Sequence, residues 1–236
     1  MRKRNGKLAI AALGVAMLLG LAIFSSGAVP TGSWGLSFQQ EGAAPIGNAT
    51  PAQLARYDAA YLGDTGKQVL YLTFDAGYEN GSTAKILDAL KKHNAPAAFF
   101  LVGNYLQRNG DLVRRMVEEG HIVGNHTMHH VQGMHCSWRT YARDIFEADR
   151  PIGSSPFRPP HGLIKPRQLK VVNGHFNVIM YDVITRDYAR RITADRVFEN
   201  VRRHTRPGSI IVFHDSLKSA ARTLEALPRA IEWLRE

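Results

Sequence analysis

Acidic, basic and imidazole side chains recur at the ends of apolar runs in this sequence. Asp75 follows the run VLYLTF, and His214 follows the run SIIVF. An acid and a histidine in such positions are suited to moving protons as a general base and a general acid. Further polar groups follow other apolar runs: His126 with His130, Arg158, and Asp187. Together these residues predict a site that could hold a metal ion and act as acid and base.

Each of these residues also has a simpler interpretation. The i, i+4 spacing of His126 and His130 places both imidazoles on one side of a helical turn, which suits a metal ion, but a surface histidine cluster has the same spacing. Arg158 precedes two prolines, whose rings stiffen the loop. It is either a surface arginine or a guanidinium held beside Asp75, where it would favour the charged carboxylate.

The aspartates and the last histidine leave similar alternatives. Asp75 could cap the helix that begins near Ser82, since Asp is a common cap residue. His214 could be a core histidine at the end of an apolar strand. Alternatively, Asp187 on a neighbouring strand end orients His214 as a general acid.

The elements that must position these residues alternate between strand and helix. A parallel sheet wrapped by helices, either open or closed into a barrel, is the fold that this alternation predicts. In such folds the site lies at the carboxyl ends of the strands. The predicted strands are Val69–Phe74, Ala97–Val102, His121–Gly124, Phe176–Val183 and Ser209–Phe213. The predicted helices are Thr83–His93, Asp111–Glu119, Trp138–Ala148, Pro166–Val172, Ala194–His204 and Ala220–Leu234, with Pro228 expected to kink or divide the last.

The N-terminus has the pattern of an export signal. Basic residues precede an apolar run at 8–24, and small residues follow it. Residues 1–27 are therefore predicted to be a signal peptide or, if uncleaved, a membrane anchor. Residues 28–56, rich in Gly, Pro, Ala and Ser, are predicted to be a linker or arm, and 57–236 the folded domain. We expect a secreted or cell-envelope-associated protein.

Charge and cysteine content narrow the choice of partners. The chain carries a formal net charge of +10, which suits an anionic envelope polymer or nucleic acid. The export signal favours the polymer, so no nucleic-acid partner is expected. The single cysteine, Cys136, cannot form an internal disulfide.

Five motifs in order resemble those of the polysaccharide deacetylases of the NodB-homology group. TFDAG at 73–77 resembles the motif TFDDG, and HTMHH at 126–130 resembles H-[ST]-x-x-H. RPPHG at 158–162 is similar to R-P-P-aromatic-G. Asp187–Tyr188 stands in place of Asp-Trp, and VFH at 212–214 in place of Leu-x-His. The resemblance covers about 69–215.

The resemblance implies a distorted (β/α) barrel that removes acetyl groups from N-acetylated sugars. Carried over to this sequence, it makes Asp75 the general base, with Arg158 as its charge partner. His126 and His130 would bind a divalent metal ion such as zinc. His214 would protonate the leaving amine, and Asp187 would orient His214. The backbone N–H of His161 would help to hold the oxyanion.

The main departure from the family pattern is Ala76. It replaces the second aspartate of the first motif, which is the family's third metal ligand, and a methyl group coordinates nothing. The stretch YLTFDAGYENG most resembles delta-lactam-biosynthetic de-N-acetylases, which act on N-acetylmuramic acid in peptidoglycan and carry Asn at this position. We therefore expect an exported peptidoglycan de-N-acetylase. The alternatives are a deacetylase of another N-acetylglucosamine polymer and a glycan-binding pseudoenzyme.

Overall fold

The computed structural model describes residues 49–236, together with the backbone of three two-residue strands nearer the N-terminus. Most of the predicted signal or anchor at 1–27, and of the predicted linker up to residue 48, lies outside the described residues. The strands are β1 (Ala9–Ile10), β2 (Leu36–Ser37), β3 (Ile46–Gly47), β4 (Ala59–Ala60), β5 (Val69–Ala76), β6 (Ala97–Leu101), β7 (Ile122–Asn125), β8 (Pro156–Phe157), β9 (Asn177–Ile179), β10 (Val183–Ile184) and β11 (Ile210–Asp215). The helices are α1 (Pro51–Ala55), α2 (Thr83–Lys92), α3 (Gly103–Arg108), α4 (Gly110–Glu118), α5 (Trp138–Ile152), α6 (Pro166–Val172), α7 (Ala194–His204) and α8 (Ala220–Arg235).

The main sheet is parallel and winds in one direction. Its strand order is β10-β11-β5-β6-β7-β8-β9-β4, so strands β5 to β9 lie side by side in chain order, as in a barrel. β1 also pairs with the start of β5. Every residue of β6 is buried, as expected for a parallel strand covered on both faces. The carboxyl ends of all these strands therefore meet at one edge.

Two apolar clusters hold the fold together. One packs β5, β6 and β11 against α2, α7 and α8 and includes Phe74, Phe99 and Phe213, whose rings stack in a row. The other joins α5 and α6 to the strands β8 and β9. Leu54 of α1 is buried in this second cluster, so residues within the predicted linker pack onto the core.

The structure differs from the predicted elements at three places. The predicted strand at Phe176–Val183 is divided, because Met180 N bonds to Ala60 of β4 whereas Asp182 N bonds to Ile210 of β11. Helix α8 continues through Pro228, so the predicted division is wrong, whereas the kink stays a prediction; apolar residues on both sides of the proline are buried in the core. Helix α3 was not predicted. Within residues 49–236, no helix is long and apolar enough to cross a membrane.

Candidate active site

Strand register places the predicted acid and base side by side. Asp75 and His214 are paired residues on the adjacent parallel strands β5 and β11, each next to the last residue of its strand. Asp75 is also paired with Phe100 of β6. Because alternate residues share a face, Thr73 and Asp75 lie on the same side of β5. The sheet itself therefore sets the separation of the two groups.

Arg158 is the neighbour that holds Asp75. Its Nη1 donates to Asp75 Oδ1 at 2.8 Å and to Thr73 Oγ1 at 2.8 Å. Its Nε and Nη2 donate to the carbonyls of Ile179 and Met180 at 2.9 and 3.1 Å. The side chain is 0% exposed, which excludes the interpretation of Arg158 as a surface residue.

An aromatic ring completes the surroundings of the guanidinium. The Arg158 guanidinium carbon lies 4.1 Å from the centre of the Phe100 ring, in cation–π contact. Gly124 makes room for that ring, because a Cβ there would come within 2.9 Å of Phe100 Cδ1. This contact between distant residues has no signature in the sequence.

The charges around Asp75 favour its carboxylate form. Burial opposes the negative charge, but the Arg158 guanidinium, helped by His214, outweighs burial and lowers the pKa of Asp75 below its ordinary value. The side chain remains 11% exposed. Asp75 is thus an ionised carboxylate that a small molecule can reach, as a base requires.

Asp187 holds His214 and favours the positively charged form of its ring. Its Nδ1 donates to Asp187 Oδ1 at 2.8 Å, and its backbone N–H donates to Oδ2 at 2.7 Å. Thr223 Oγ1 also donates to Oδ2 at 2.7 Å. Burial disfavours the imidazolium, but the Asp187 carboxylate outweighs burial and raises the pKa of His214. His214 is therefore a coupled, oriented acid rather than an isolated core histidine.

The His126–His130 segment is a loop, so the predicted helical turn is wrong. Its backbone enters the left-handed region at Thr127 and His130, with φ of 65° and 56°. Asn125 anchors the loop, since its Nδ2 donates to Ile145 O and its Oδ1 accepts from Thr127 N. The two rings nevertheless lie close, with centres 5.0 Å apart.

His126 has the protonation pattern of a metal ligand. Its Nδ1 lies 2.7 Å from the Arg158 carbonyl oxygen, which can only accept, so Nδ1 carries the proton and Nε2 has a free lone pair. Nε2 lies 3.8 Å from Asp75 Oδ2. Burial lowers the pKa of His126 to about 4, which keeps the ring neutral. The His126 side chain therefore fits a ligand of a divalent ion, and the His130 ring lies beside it.

The third family ligand is missing from this site. Ala76 is fully buried in the first apolar cluster, where its methyl group packs but cannot coordinate. In the part of the chain that the structure describes, no group of three or more His, Cys, Asp or Glu side chains converges closely enough to hold a metal ion. The histidine pair alone is one protein ligand short of a usual catalytic zinc site.

Several residues that sequence reasoning did not select support the site. They are Thr73 beside Arg158, Phe100 under it, Thr223 behind Asp187, and Asp144, which accepts from His129 Nδ1 at 2.6 Å. Tyr188, predicted as a replacement for tryptophan, packs edge-on against His214 with ring centres 4.6 Å apart.

Comparison with known proteins identifies the family. The family model described as polysaccharide deacetylase matches residues 62–175. The chain is 31% identical over 193 residues to the peptidoglycan-N-acetylmuramic acid deacetylase PdaA of Bacillus subtilis, covering 78% of this chain and 72% of that protein. The chain belongs to the polysaccharide deacetylase family. It is accordingly a hydrolase of the class that cleaves N-acetyl amide bonds of carbohydrates, as predicted.

Solved structures confirm the predicted distorted (β/α) barrel. The Bc1960 peptidoglycan N-acetylglucosamine deacetylase superposes with a TM-score of 0.74 at 31% identity, covering 79% of this chain and 90% of that chain. BA3943 of Bacillus anthracis, described as a CE4 family pseudoenzyme, superposes with a TM-score of 0.69 at 27% identity, covering 79% of this chain and 65% of that chain. The fold is thus shared by active and inactive relatives.

Proposed function

We propose that this protein is an exported deacetylase that removes acetyl groups from N-acetylated sugars of peptidoglycan. The observation that carries the proposal is the pairing of Asp75 and His214 on adjacent strands with pKa values shifted in opposite directions. A base whose ionised form is favoured beside an acid whose protonated form is favoured is the combination that amide hydrolysis requires.

Each side chain then has a role in the reaction. Asp75 takes a proton from water, whose oxygen attacks the acetamide carbonyl carbon. The backbone N–H of His161 donates to the resulting oxyanion. His214 gives its proton to the sugar nitrogen as the carbon–nitrogen bond breaks, which releases acetate and a free amine. Asp187 keeps the His214 ring in the orientation needed for that transfer.

His126 and His130 are the residues that would hold a divalent metal ion such as zinc. A bound ion would polarise the acetamide carbonyl and lower the pKa of the attacking water. Such help matters here because a carboxylate with a lowered pKa is a weak base. The buried, neutral state of His126 supports this assignment.

N-acetylmuramic acid is the sugar that we favour within peptidoglycan, on a route toward muramic lactam. The similarity to PdaA supports this choice, whereas the similarity to Bc1960 favours N-acetylglucosamine. Mass spectrometry of muropeptides after incubation with the purified protein tests both. We expect loss of acetyl from muramic acid; loss from glucosamine would change the substrate, and no loss would contradict the enzyme assignment.

A glycan-binding pseudoenzyme is the competing function. Ala76 favours it, as does the structural similarity to BA3943. The intact pairs Asp75–Arg158 and His214–Asp187 count against it, because binding alone needs neither an acid nor a base. The pseudoenzyme would be favoured if the protein sediments together with peptidoglycan but releases no acetate from it.

Export and membrane attachment are proposed from residues 1–27. The basic, apolar and small segments in this order support export of the domain to the envelope. N-terminal sequencing of the mature protein distinguishes a cleaved signal from a retained anchor. Recovery of the full-length protein in the cytoplasm would contradict the proposal.

A further inference from the structure

An open cleft lined by arginines adjoins the loop that carries Asp187. Its volume is about 490 Å³, which is within the range of ligand sites. It lies between the loop that follows β10 and the first turns of α7, and its lining includes Arg186, Arg191, Ile192, Thr193, Arg196 and Asn200. None of the roles assigned to the active site uses these residues.

The positive charge of the cleft is not neutralised by neighbouring acids. The three arginines of its lining are exposed, and within residues 49–236 no carboxylate forms an ion pair with any of them. The acids nearest in sequence are bound to other groups, Asp187 to His214 and Asp195 to Arg229, each at 2.8 Å. Glu199, one turn further along α7, is bound to two other arginines. The cleft is therefore suited to an anion.

The cleft and the proposed acid are built on the same loop. Arg186 and Asp187 are consecutive residues after the carboxyl end of β10, and Asp187 Oδ1 accepts from His214 Nδ1 at 2.8 Å. Arg222 fixes the loop, because its Nη1 and Nη2 donate to the carbonyls of Asp187 and Arg190 at 3.0 and 3.3 Å. An anion in the cleft would thus be held at the same edge of the sheet as the amide that is cleaved.

Carboxylates are the anions that a peptidoglycan strand itself presents to such a cleft. They occur in its stem peptides, and on the lactyl group of muramic acid wherever a stem is absent. The planar guanidinium of arginine matches a carboxylate with two parallel N–H donors. We propose that the cleft binds carboxylates of the strand that is being deacetylated, so that this polymer is favoured over neutral N-acetylated glycans. The inference rests on the proposed function and names the feature that selects its substrate.

Binding of soluble peptidoglycan strands before and after amidation tests the inference. Carbodiimide and ammonia convert the carboxylates to neutral amides and leave the sugars unchanged, so the two forms differ in charge. In calorimetric titration the purified protein should bind the carboxylate form about threefold or more tightly than the amidated form, and high salt should reduce the difference, because exposed ion pairs are individually weak and are screened. Strands with and without stem peptides, titrated separately, distinguish the two sources of carboxylate.

A double variant and a matched control locate the effect. Arg191→Gln combined with Arg196→Gln should bind the carboxylate form about threefold or more weakly than the wild type does, and the amidated form equally well. Lys92→Gln combined with Arg203→Gln removes two exposed charges in the last turns of α2 and α7, which lead into the amino ends of β6 and β11. This control should keep the wild-type preference for the carboxylate form.

Four outcomes would overturn the inference. They are equal binding of the two forms by the wild type, no binding of either form, a cleft variant that keeps the wild-type preference, and a control variant that loses it to the same extent. The readout is binding, so it does not depend on turnover. The expected preference without acetate release would contradict the deacetylase proposal alone, whereas acetate release without the preference would contradict this inference alone.

Discussion

Asp75 and Asp182 are both aspartates bound to an arginine, and they lie beside opposite ends of the same strand. Asp75 is paired with His214 near the carboxyl end of β11, whereas Asp182 accepts from Ile210 N at its start. In the first pair Arg158 is 0% exposed and Asp75 is 11% exposed. In the second, Asp182 is 0% exposed and Arg206, at 2.9 Å, is 17% exposed.

The two carboxyl groups have pKa values shifted in opposite directions. Burial raises the pKa of Asp182 to about 7, even though Arg206, Ile210 N and Ser209 Oγ partly offset the effect. At Asp75 burial is outweighed by the guanidinium of Arg158, helped by His214. An arginine contact alone therefore does not determine the charge of a buried aspartate.

A different partner is fully buried in each ion pair, and this explains the difference in function. At Asp182 the carboxyl oxygens are bound to Ser209, Ile210 and Arg206, which ties β10 to β11. At Asp75 the arginine is fully buried, whereas the carboxylate remains partly exposed. The first arrangement stabilises the fold, and the second is suited to chemistry.

Replacing each aspartate by asparagine should separate these roles most strongly. Asp75→Asn should lower deacetylation by about 100- to 10,000-fold, the usual contribution of a general base. Asp182→Asn should leave turnover near the wild-type value. Acetate release from peptidoglycan at fixed pH measures both, and near-normal turnover in Asp75→Asn would contradict its role as base.

Replacing Arg158 and Arg206 by methionine should give the next largest difference between the two ion pairs. Arg158→Met leaves Asp75 buried without its partner, which raises its pKa and moves the acidic limb of the pH–rate profile to higher pH. It should also destabilise the fold by about 3–5 kcal/mol, as breaking a buried ion pair does. Arg206→Met should not move the acidic limb. An unchanged limb in an active Arg158→Met protein would show that Arg158 does not set the pKa of the base.

The alkaline limb should depend on Asp187. Asp187→Asn removes the carboxylate that raises the pKa of His214, so the acid loses its proton at lower pH and the alkaline limb moves downward. We expect turnover at neutral pH to fall by about tenfold or more. Thr223→Val removes the hydroxyl that donates to Asp187 but keeps the carboxylate charge, so it should shift the limb less. Equal shifts in the two variants would argue that the carboxylate charge is not the cause.

Asp182 should also set part of the pH dependence of stability, without any effect on the pH–rate profile. Asp182 has a folded pKa above its unfolded value, so the folded state binds the proton more tightly and stability falls as pH rises from about 4 to about 7. The slope from this group is at most about 1.4 kcal/mol per pH unit. Asp182→Asn removes this slope. In urea unfolding, the free energy by which the variant is less stable than the wild type should therefore decrease as the pH rises over this range. A constant difference would contradict the raised pKa.

Much of the fold was determined by local sequence. The bounds of α6 and α7 agree with the predicted segments, because proline or threonine starts each helix and apolar residues recur at helical spacing. Strands β5, β6 and β11 were predicted from apolar runs, and the runs of β5 and β11 lead into Asp75 and His214. Since parallel strand ends share one edge, this pattern also placed Asp75, Arg158, Asp187 and His214 together.

Only the tertiary structure decided how these residues act on one another. The predicted strand at Phe176–Val183 is divided into β9 and β10 because its two halves bond to different strands. No local sequence pattern indicates this. The opposite pKa shifts of Asp75 and Asp182 depend on which partner of each ion pair is buried. The sequence has an aspartate at both positions and so does not distinguish them. Likewise, the contact between His130 and His161 joins two loops distant in the chain. Burial and contacts of this kind depend on chain segments far apart in sequence, so local residue patterns cannot specify them.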